Sequence, residues 1–435
     1  MTRRSVILDL TRVIKRPRLA APTGIDRVEI AYAMGLPARL GDRLRFGLRL
    51  GGDFVLLPKD EVDAFFARVL PGWEEAGRLA DDRSARARLD PVLGPAATAP
   101  LHAAAAKAPR KPLIEPWAER MLWFARRRAV DVVTRARNPE PGSIYLNLSH
   151  NGLTEGGRML AFAERMKLLP AFFLHDLIPI TFPEYARAGD DAMHRERLDT
   201  MLRRGRLIIV NSDDTRDALL HHARAQGLAA PECLVAHLGI SDMWYAPPAA
   251  GTAAERPPYF VTVGTIEARK NHLMLLNVWR RLVEIDGAHA PRLVIVGKRG
   301  WEIESAVDML ERCATIRDHV IEAGSLSDAL TIDLVRGARA MLFPSFVEGY
   351  GMPLVEGMAC GTPVIAADIP TFREVGGDIP LFVDPLDGPG WVSAVRSFRD
   401  ADAPARVAQL ARLAGYAPPT WDGHLDTVCD ALDRM

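Results

Sequence analysis

The chain has 435 residues, too many for one ordinary core and enough for two or three domains. Hydrophobic residues make up 48% and charged residues 25%, average values for a soluble globular protein. Lys and Arg total 55, as do Asp and Glu, so no global field favours nucleic acid. Cys233, Cys313, Cys360 and Cys429 lie far apart in sequence. That spacing gives no zinc pattern and no disulfide framework, and it fits a reducing cytoplasm.

The first predicted strand is Ser5–Leu10. Two arginines precede it, but its apolar run is too short for a signal peptide. No run reaches the roughly 20 apolar residues of a spanning helix. A basic loop follows, then Pro22-Thr23-Gly24-Ile25-Asp26-Arg27. Arg27 reads equally as a cleft residue or as an ordinary first-turn helix residue.

Residues 80–140 are Ala-, Arg- and Pro-rich and interrupt this half as an irregular basic insert. Within residues 110–137, Trp117, Met121 and Phe124 would share a helix face, beside Arg126-Arg127-Arg128. That mixture suits either an anionic membrane surface or a helix packed on the core with a solvated basic side.

Apolar runs at Ser143–Asn147, Pro170–Leu174 and Arg206–Val210 are predicted as buried strands, each followed by turn or helix signals. Asn147 and His150 follow the first of these and are acceptor-site candidates. His175 and Asp176 follow the second. Val210-Asn211-Ser212-Asp213 follows the third, where Ser212 or Asp213 suits a helix cap. Residues 245–258 are small, Pro-rich and aperiodic, a linker between two α/β halves.

In the second half, strands are predicted at Tyr259–Val263, Arg292–Val296, Ala340–Phe343 and Thr362–Ala366. Alternation of such runs with helical patterns predicts parallel α/β layers, whose ligands bind beyond the carboxyl ends of the strands. Arg269 and Lys270 stand after the first of these strands, ready to carry the charge of a departing diphosphate. Gly297 follows the second, reading as a simple turn or as part of a nucleotide cleft. Gly349 and Gly351 let the backbone after Phe343 approach a ligand closely. The helix expected from Leu354 to Cys360 aims its unpaired N–H groups at the same place, a pyrophosphate-sized anion site. Glu348 and Glu356 flank it.

These residues resemble the E-x7-E signature of the family 4 retaining glycosyltransferases, followed by Gly361-Thr362-Pro363-Val364-Ile365-Ala366. The resemblance covers roughly residues 170–385 well and the N-terminal region more loosely. It implies a GT-B fold, two Rossmann-like parallel-sheet domains facing a cleft. Residues 1–245 would form the acceptor-binding domain and 258–412 the nucleotide-sugar-binding domain. The C-terminal helix, 413–435, would pack back on the first domain.

The resemblance further implies the roles. Glu348 would lie by the donor sugar and Glu356 on the ribose. The loop amides of Gly351, Met352, Leu354 and Val355 would hold sugar hydroxyls and diphosphate. Gly264 to Asn271 resembles the family's G-x-x-x-x-R-K-N box, with Thr265 where many members carry arginine, so Arg269 would substitute and Lys270 would bind the diphosphate. His175-Asp176 resembles H-D-L-x-P, with His175 orienting and stabilising rather than acting as base. Val210 to Arg216 resembles V-N-S-x-x-T-R, largely architectural at the interdomain cleft. Ala236 to Ile240 matches the family's closing strand, and Thr23-Gly24 its glycine loop onto the cleft.

The implied activity is metal-independent, cofactor-free retaining transfer of a hexose from a nucleoside diphosphate sugar to a glycan or lipid-linked acceptor in polysaccharide synthesis. The likeness to bacterial surface-polysaccharide mannosyltransferases tilts the donor to GDP-mannose over a UDP-sugar. The basic insert would bring the enzyme to the inner face of the membrane. The alternative is a non-catalytic sugar-nucleotide-binding subunit of a polysaccharide assembly complex.

Overall fold

A computed structural model describes residues 3–15, 24–50, 53–79, 139–154, 156–245 and 257–435, with Arg86, Leu89 and Leu93 described singly. The membrane expectation on residues 110–137 and the Thr23 assignment lie outside the described residues. Among the described residues, no helix is long and apolar enough to cross a membrane.

The first half is built on a seven-stranded sheet, here labelled along the chain as β1 (Val6–Asp9), β2 (Leu44–Leu50), β3 (Asp53–Leu57), β4 (Ile144–Asn147), β5 (Leu169–Leu174), β6 (Leu207–Val210) and β7 (Glu232–Val235). The spatial order is β3-β2-β1-β4-β5-β6-β7. All pairings are parallel except β2 with β3. Runs such as Val6-Ile7-Leu8 and Leu207-Ile208-Ile209-Val210 are buried throughout, as strands covered by helices on both faces require. The covering helices include α1 (Thr11–Lys15), α2 (Gly24–Leu40), α3 (Lys59–Leu79), α4 (Gly156–Arg165), α5 (Ile178–Thr181), α6 (Asp190–Arg204) and α7 (Asp213–Ala225).

The second half repeats the design with β8 (Tyr259–Val263), β9 (Arg292–Val296), β10 (Val320–Gly324), β11 (Met341–Phe343), β12 (Val364–Ala367) and β13 (Leu381–Val383). Their order is β10-β9-β8-β11-β12-β13, all parallel. This is the doubly wound arrangement, whose direction of winding reverses between β8 and β11. Its helices are α8 (His272–Asp286), α9 (Glu304–Arg312), α10 (Asp328–Gly337), α11 (Met352–Ala359), α12 (Pro370–Gly376), α13 (Gly388–Ser397) and α14 (Pro404–Leu413).

The last helix, α15 (Trp421–Arg434), returns to the first half. Leu425 packs against Gly35 of α2, Arg39 pairs with Asp422 and Asp426, and the Tyr32 hydroxyl lies 2.8 Å from His424 Nε2. One buried apolar cluster runs through both halves, and a second lies on the other face of the first sheet.

One reading needs correction, and two features are additions to it. Ala236–Ile240 is not a strand. The edge strand is Glu232–Val235, and Gly239 sits so close to Trp421 that a Cβ there would lie 2.1 Å from its amide nitrogen. The pair β2–β3 was not anticipated, and because it is antiparallel the first sheet is mixed. Arg269 and Lys270 occupy a 3-10 turn, Ala268–Lys270, and α8 begins only at His272, beyond a left-handed Asn271.

Candidate active site

At the switch point of the second sheet, the loops after β8 and β11 meet. Phe346 N donates to Arg269 O at 2.9 Å, and Asn271 Nδ2 donates to Pro344 O at 3.2 Å and Pro385 O at 2.9 Å. These bonds bring Glu348 between the two cations. Its carboxylate accepts from Arg269 Nη1 at 2.6 Å, from Ser345 Oγ at 2.8 Å and from Lys270 Nζ. Arg269 also pairs with Glu267 at 2.7 Å.

Glu348 is 7% exposed. Burial opposes its charge, but Arg269 and Lys270 outweigh it and hold the carboxyl at about 2. Burial pushes the Lys270 ammonium down, against the pull of Glu348. Arg269 is buried as well, yet Glu348 and Glu267 raise it.

Gly351 caps α11 at φ 90°, a left-handed conformation that suits glycine, and a Cβ there would lie 2.6 Å from the Phe372 ring. The implied amide cradle is smaller than expected. Leu354 N and Val355 N already donate to Gly351 O at 2.9 and 3.4 Å. The amides of Gly351 and Met352 have no acceptor among the described residues, so they are the helix-terminal donors left for an anion.

Gly349 was expected to admit a ligand. It instead touches the other half: a Cβ there would lie 2.6 Å from His175 O and 2.9 Å from Asp176 Cβ. Gly297 donates its N–H to Gly324 O at 2.8 Å, linking strand ends.

Glu356, inside α11, is 4% exposed and 3.4 Å from Arg27 Nη1. Arg27 also grips Asp328 through Nη2 at 3.0 and 3.2 Å. This resolves the even reading of Arg27: it is a first-turn residue of α2 that reaches across to the second half. Burial raises Glu356 to about 7; Arg27 works against that rise and Asp328 adds to it. A raised carboxyl gives stability that is complete below its unfolded value and is lost as pH rises through the folded one. Glu356→Gln, which cannot ionise, is therefore expected to gain Tm relative to the parent between pH 5 and pH 8. Paired thermal melts at the two pH values check this, and a constant difference would refute it.

On the first half, His175 is 9% exposed and packs at a tilt against Phe173, with ring centroids 4.6 Å apart. Its Nε2 lies 2.7 Å from Leu148 O, a geometry that assigns the proton to Nε2. Burial lowers its pKa to about 4, so the ring is neutral near pH 7. Asp176 Oδ1 accepts from Ile178 N at 3.0 Å, and its charge reaches Arg269 across the halves.

Asn147 and His150 do not line an open surface. Asn147 is fully buried and bonds Tyr145, Ser149 and Asn151. His150 is 6% exposed, with Nε2 2.8 Å from Phe173 O. Gly24 is the exposed first residue of α2.

Sequence reasoning passed over Arg12, which lies in α1 just beyond β1 and pairs with buried Asp26 at 2.8 Å. Its position after a strand, at the first sheet's own reversal between β1 and β4, is the signal that marks it. It also passed over Thr371 and Glu374, on a helix that carries no motif. Among the described residues, no group of three or more His, Cys, Asp or Glu side chains is placed to hold a metal ion.

The family model described as "Glycosyl transferases group 1" matches residues 248–385. The serotype-specific mannosyltransferase WbdA of Escherichia coli is 29% identical over 218 residues, 47% of this chain and 26% of WbdA. This chain thus spans about a quarter of that relative. The O-antigen chain mannosyltransferase B of E. coli is 26% identical over 324 residues, 63% of this chain and 83% of its own length. Among solved structures, Anabaena HepE in complex with UDP-glucose superposes with a TM-score of 0.61 at 14% identity, covering 99% of this chain and all of HepE. That likeness supports a common GT-B architecture.

Proposed function

We propose that this chain, which belongs to the glycosyl transferases group 1 family through residues 248–385, transfers a hexose from a nucleoside diphosphate sugar to a glycan or lipid-linked acceptor with retention at the anomeric carbon. The observation that carries the reading is the buried Arg269–Glu348–Lys270 ion cluster at the switch point, beside the amides of Gly351 and Met352. Two cations and two helix-terminal N–H groups suit a diphosphate that gains charge as it leaves.

The donor's diphosphate would take over Lys270 and the amides, leaving Glu348 to accept from hydroxyls of the sugar. Glu356, facing Arg27, would bind the ribose. The acceptor hydroxyl bonds to the anomeric carbon as the bond to the phosphate oxygen breaks, and the departing diphosphate receives the proton. His175, neutral and fixed by Leu148 O, orients and takes no proton. This chemistry asks for no metal and no resident cofactor.

GDP-mannose is the favoured donor because the relatives at 29% and 26% identity are named mannosyltransferases. The acceptor then belongs to a surface polysaccharide, met at the cytoplasmic face of the membrane. Thermal melts with GDP, UDP and their sugars test the donor. At 100 times Kd a ligand stabilises by about 2.7 kcal/mol, so GDP-mannose is expected to raise Tm by roughly 3 °C. A rise with a UDP-sugar alone would replace the donor. Tight binding without turnover on any acceptor or water would favour a non-catalytic binding subunit.

A further inference from the structure

The loop that carries Glu348 is held from both halves of the molecule. Gly349 O accepts from Ser212 Oγ at 2.9 Å and from Thr215 Oγ1 at 3.3 Å, both at the start of α7 in the first half. Glu348 O accepts from Thr371 Oγ1 of α12 at 2.9 Å, and the same hydroxyl lies 2.8 Å from Asp214 Oδ2. One hydroxyl proton thus serves a carbonyl of the donor loop and a carboxylate of the opposite half.

The N-terminus of α7 completes the arrangement. A helix start leaves four N–H groups without partners. Ser212 Oγ accepts from Thr215 N at 3.1 Å as an ordinary cap. The amides of Asp213 and Asp214 go elsewhere, to the two carboxylate oxygens of Glu374 at 2.7 and 3.2 Å. Glu374 belongs to α12, three residues beyond Thr371, and also receives His237 Nε2 at 2.8 Å. Half of this helix cap therefore comes from the other half of the molecule. Hydrogen bonds from N–H groups to a carboxylate at a helix N-terminus are strong ones, and all of them are exchanged for water if the halves part.

We infer that Thr371 and Glu374 are positioning residues, which clasp the start of α7 and so hold the Glu348–Gly349 loop against the first half when the two halves are closed. The clasp couples closure to the geometry of the site: the same short segment, Ser212–Thr215, is gripped by Glu374 and grips Gly349. Their side chains bond to α7, His237 and the Glu348 carbonyl rather than to Arg269, Lys270 or the Glu348 carboxylate. The assignment rests on the reading of Glu348 as a donor-site residue, but its first test is independent of activity.

That test compares the full chain with Glu374→Ala and Glu374→Gln. Small-angle scattering of the nucleotide-free proteins is expected to show a larger radius of gyration for Glu374→Ala, with Glu374→Gln between it and the parent, since an amide oxygen still accepts from one N–H. In transfer assays, Glu374→Ala is expected to lose about tenfold or more in kcat, as misplaced groups do, while the Kd for nucleotide stays within about twofold. A merely structural role would lower Tm without this split and without recovery in Glu374→Gln. Unchanged scattering and unchanged kcat in Glu374→Ala overturn the clasp. A parent that never transfers sugar overturns the functional reading, and the scattering comparison still decides the clasp.

Discussion

Glu348→Ala is expected to lose about 100- to 1,000-fold in kcat, the effect of removing one preorganised electrostatic group at a reacting centre, and to lose stability as well. The substitution leaves Arg269 and Lys270 buried with one carboxylate, Glu267, between them. Breaking a buried pair from one side costs about 3–5 kcal/mol. An anion that enters the gap restores the balance, so a nucleoside diphosphate should raise the Tm of Glu348→Ala more than that of the parent.

The pH dependence has a definite sign. A carboxyl held at about 2 contributes stability above its unfolded value, and that stability is lost as pH falls through the folded one. The interval corresponds to a stabilisation of order 3 kcal/mol. The Tm gap between the parent and Glu348→Gln is accordingly expected to narrow from pH 5 to pH 3. Parallel melts and steady-state rates measure both effects. Undiminished turnover in Glu348→Gln would remove Glu348 from the site.

The parts of this site were legible one at a time. Arg269, Lys270, Glu348 and Glu356 each stand after an apolar strand, where a doubly wound sheet collects its ligands. Their pairings were not legible. Arg27 and Glu356 are separated by 329 positions, and nothing in either neighbourhood names the other. Gly349 shows why a glycine alone is ambiguous: its sequence context suggests a close approach to a ligand, and the structure shows a close approach to the His175 backbone.

Asn147 and His150 satisfied the strand-end rule equally well, yet both make bonds within their own half. A polar residue at a strand end is as able to brace the loop as to meet a substrate. The β2–β3 pair was legible but passed over, since Gly51-Gly52 between two apolar runs is a hairpin signal. Glu374 had no signal, because a helix cap supplied from the opposite half leaves no local pattern.

Gly349→Ala tests the closed arrangement most directly. The new methyl group would meet His175 O at 2.6 Å and Asp176 Cβ at 2.9 Å, a main-chain atom and a Cβ, neither of which turns aside as a flexible side chain does. The conflict is relieved only if the halves separate or the loop retracts, and either motion draws Gly349 O from Ser212 and Thr215. A displacement near 1 Å costs about 100-fold in rate, so kcat is expected to fall by about that factor. Gly349 has no positive φ, so alanine strains no backbone within the second half, and nucleotide affinity should stay near that of the parent.

Gly351→Ala should behave differently. There φ is 90° and the methyl group meets Phe372 within the second half, so stability and nucleotide binding should fall together. Rates, melts and nucleotide titrations on the two variants separate the contact between the halves from the cap of α11. If Gly349→Ala turns over like the parent, the closed contact seen here is not the arrangement in which sugar is transferred.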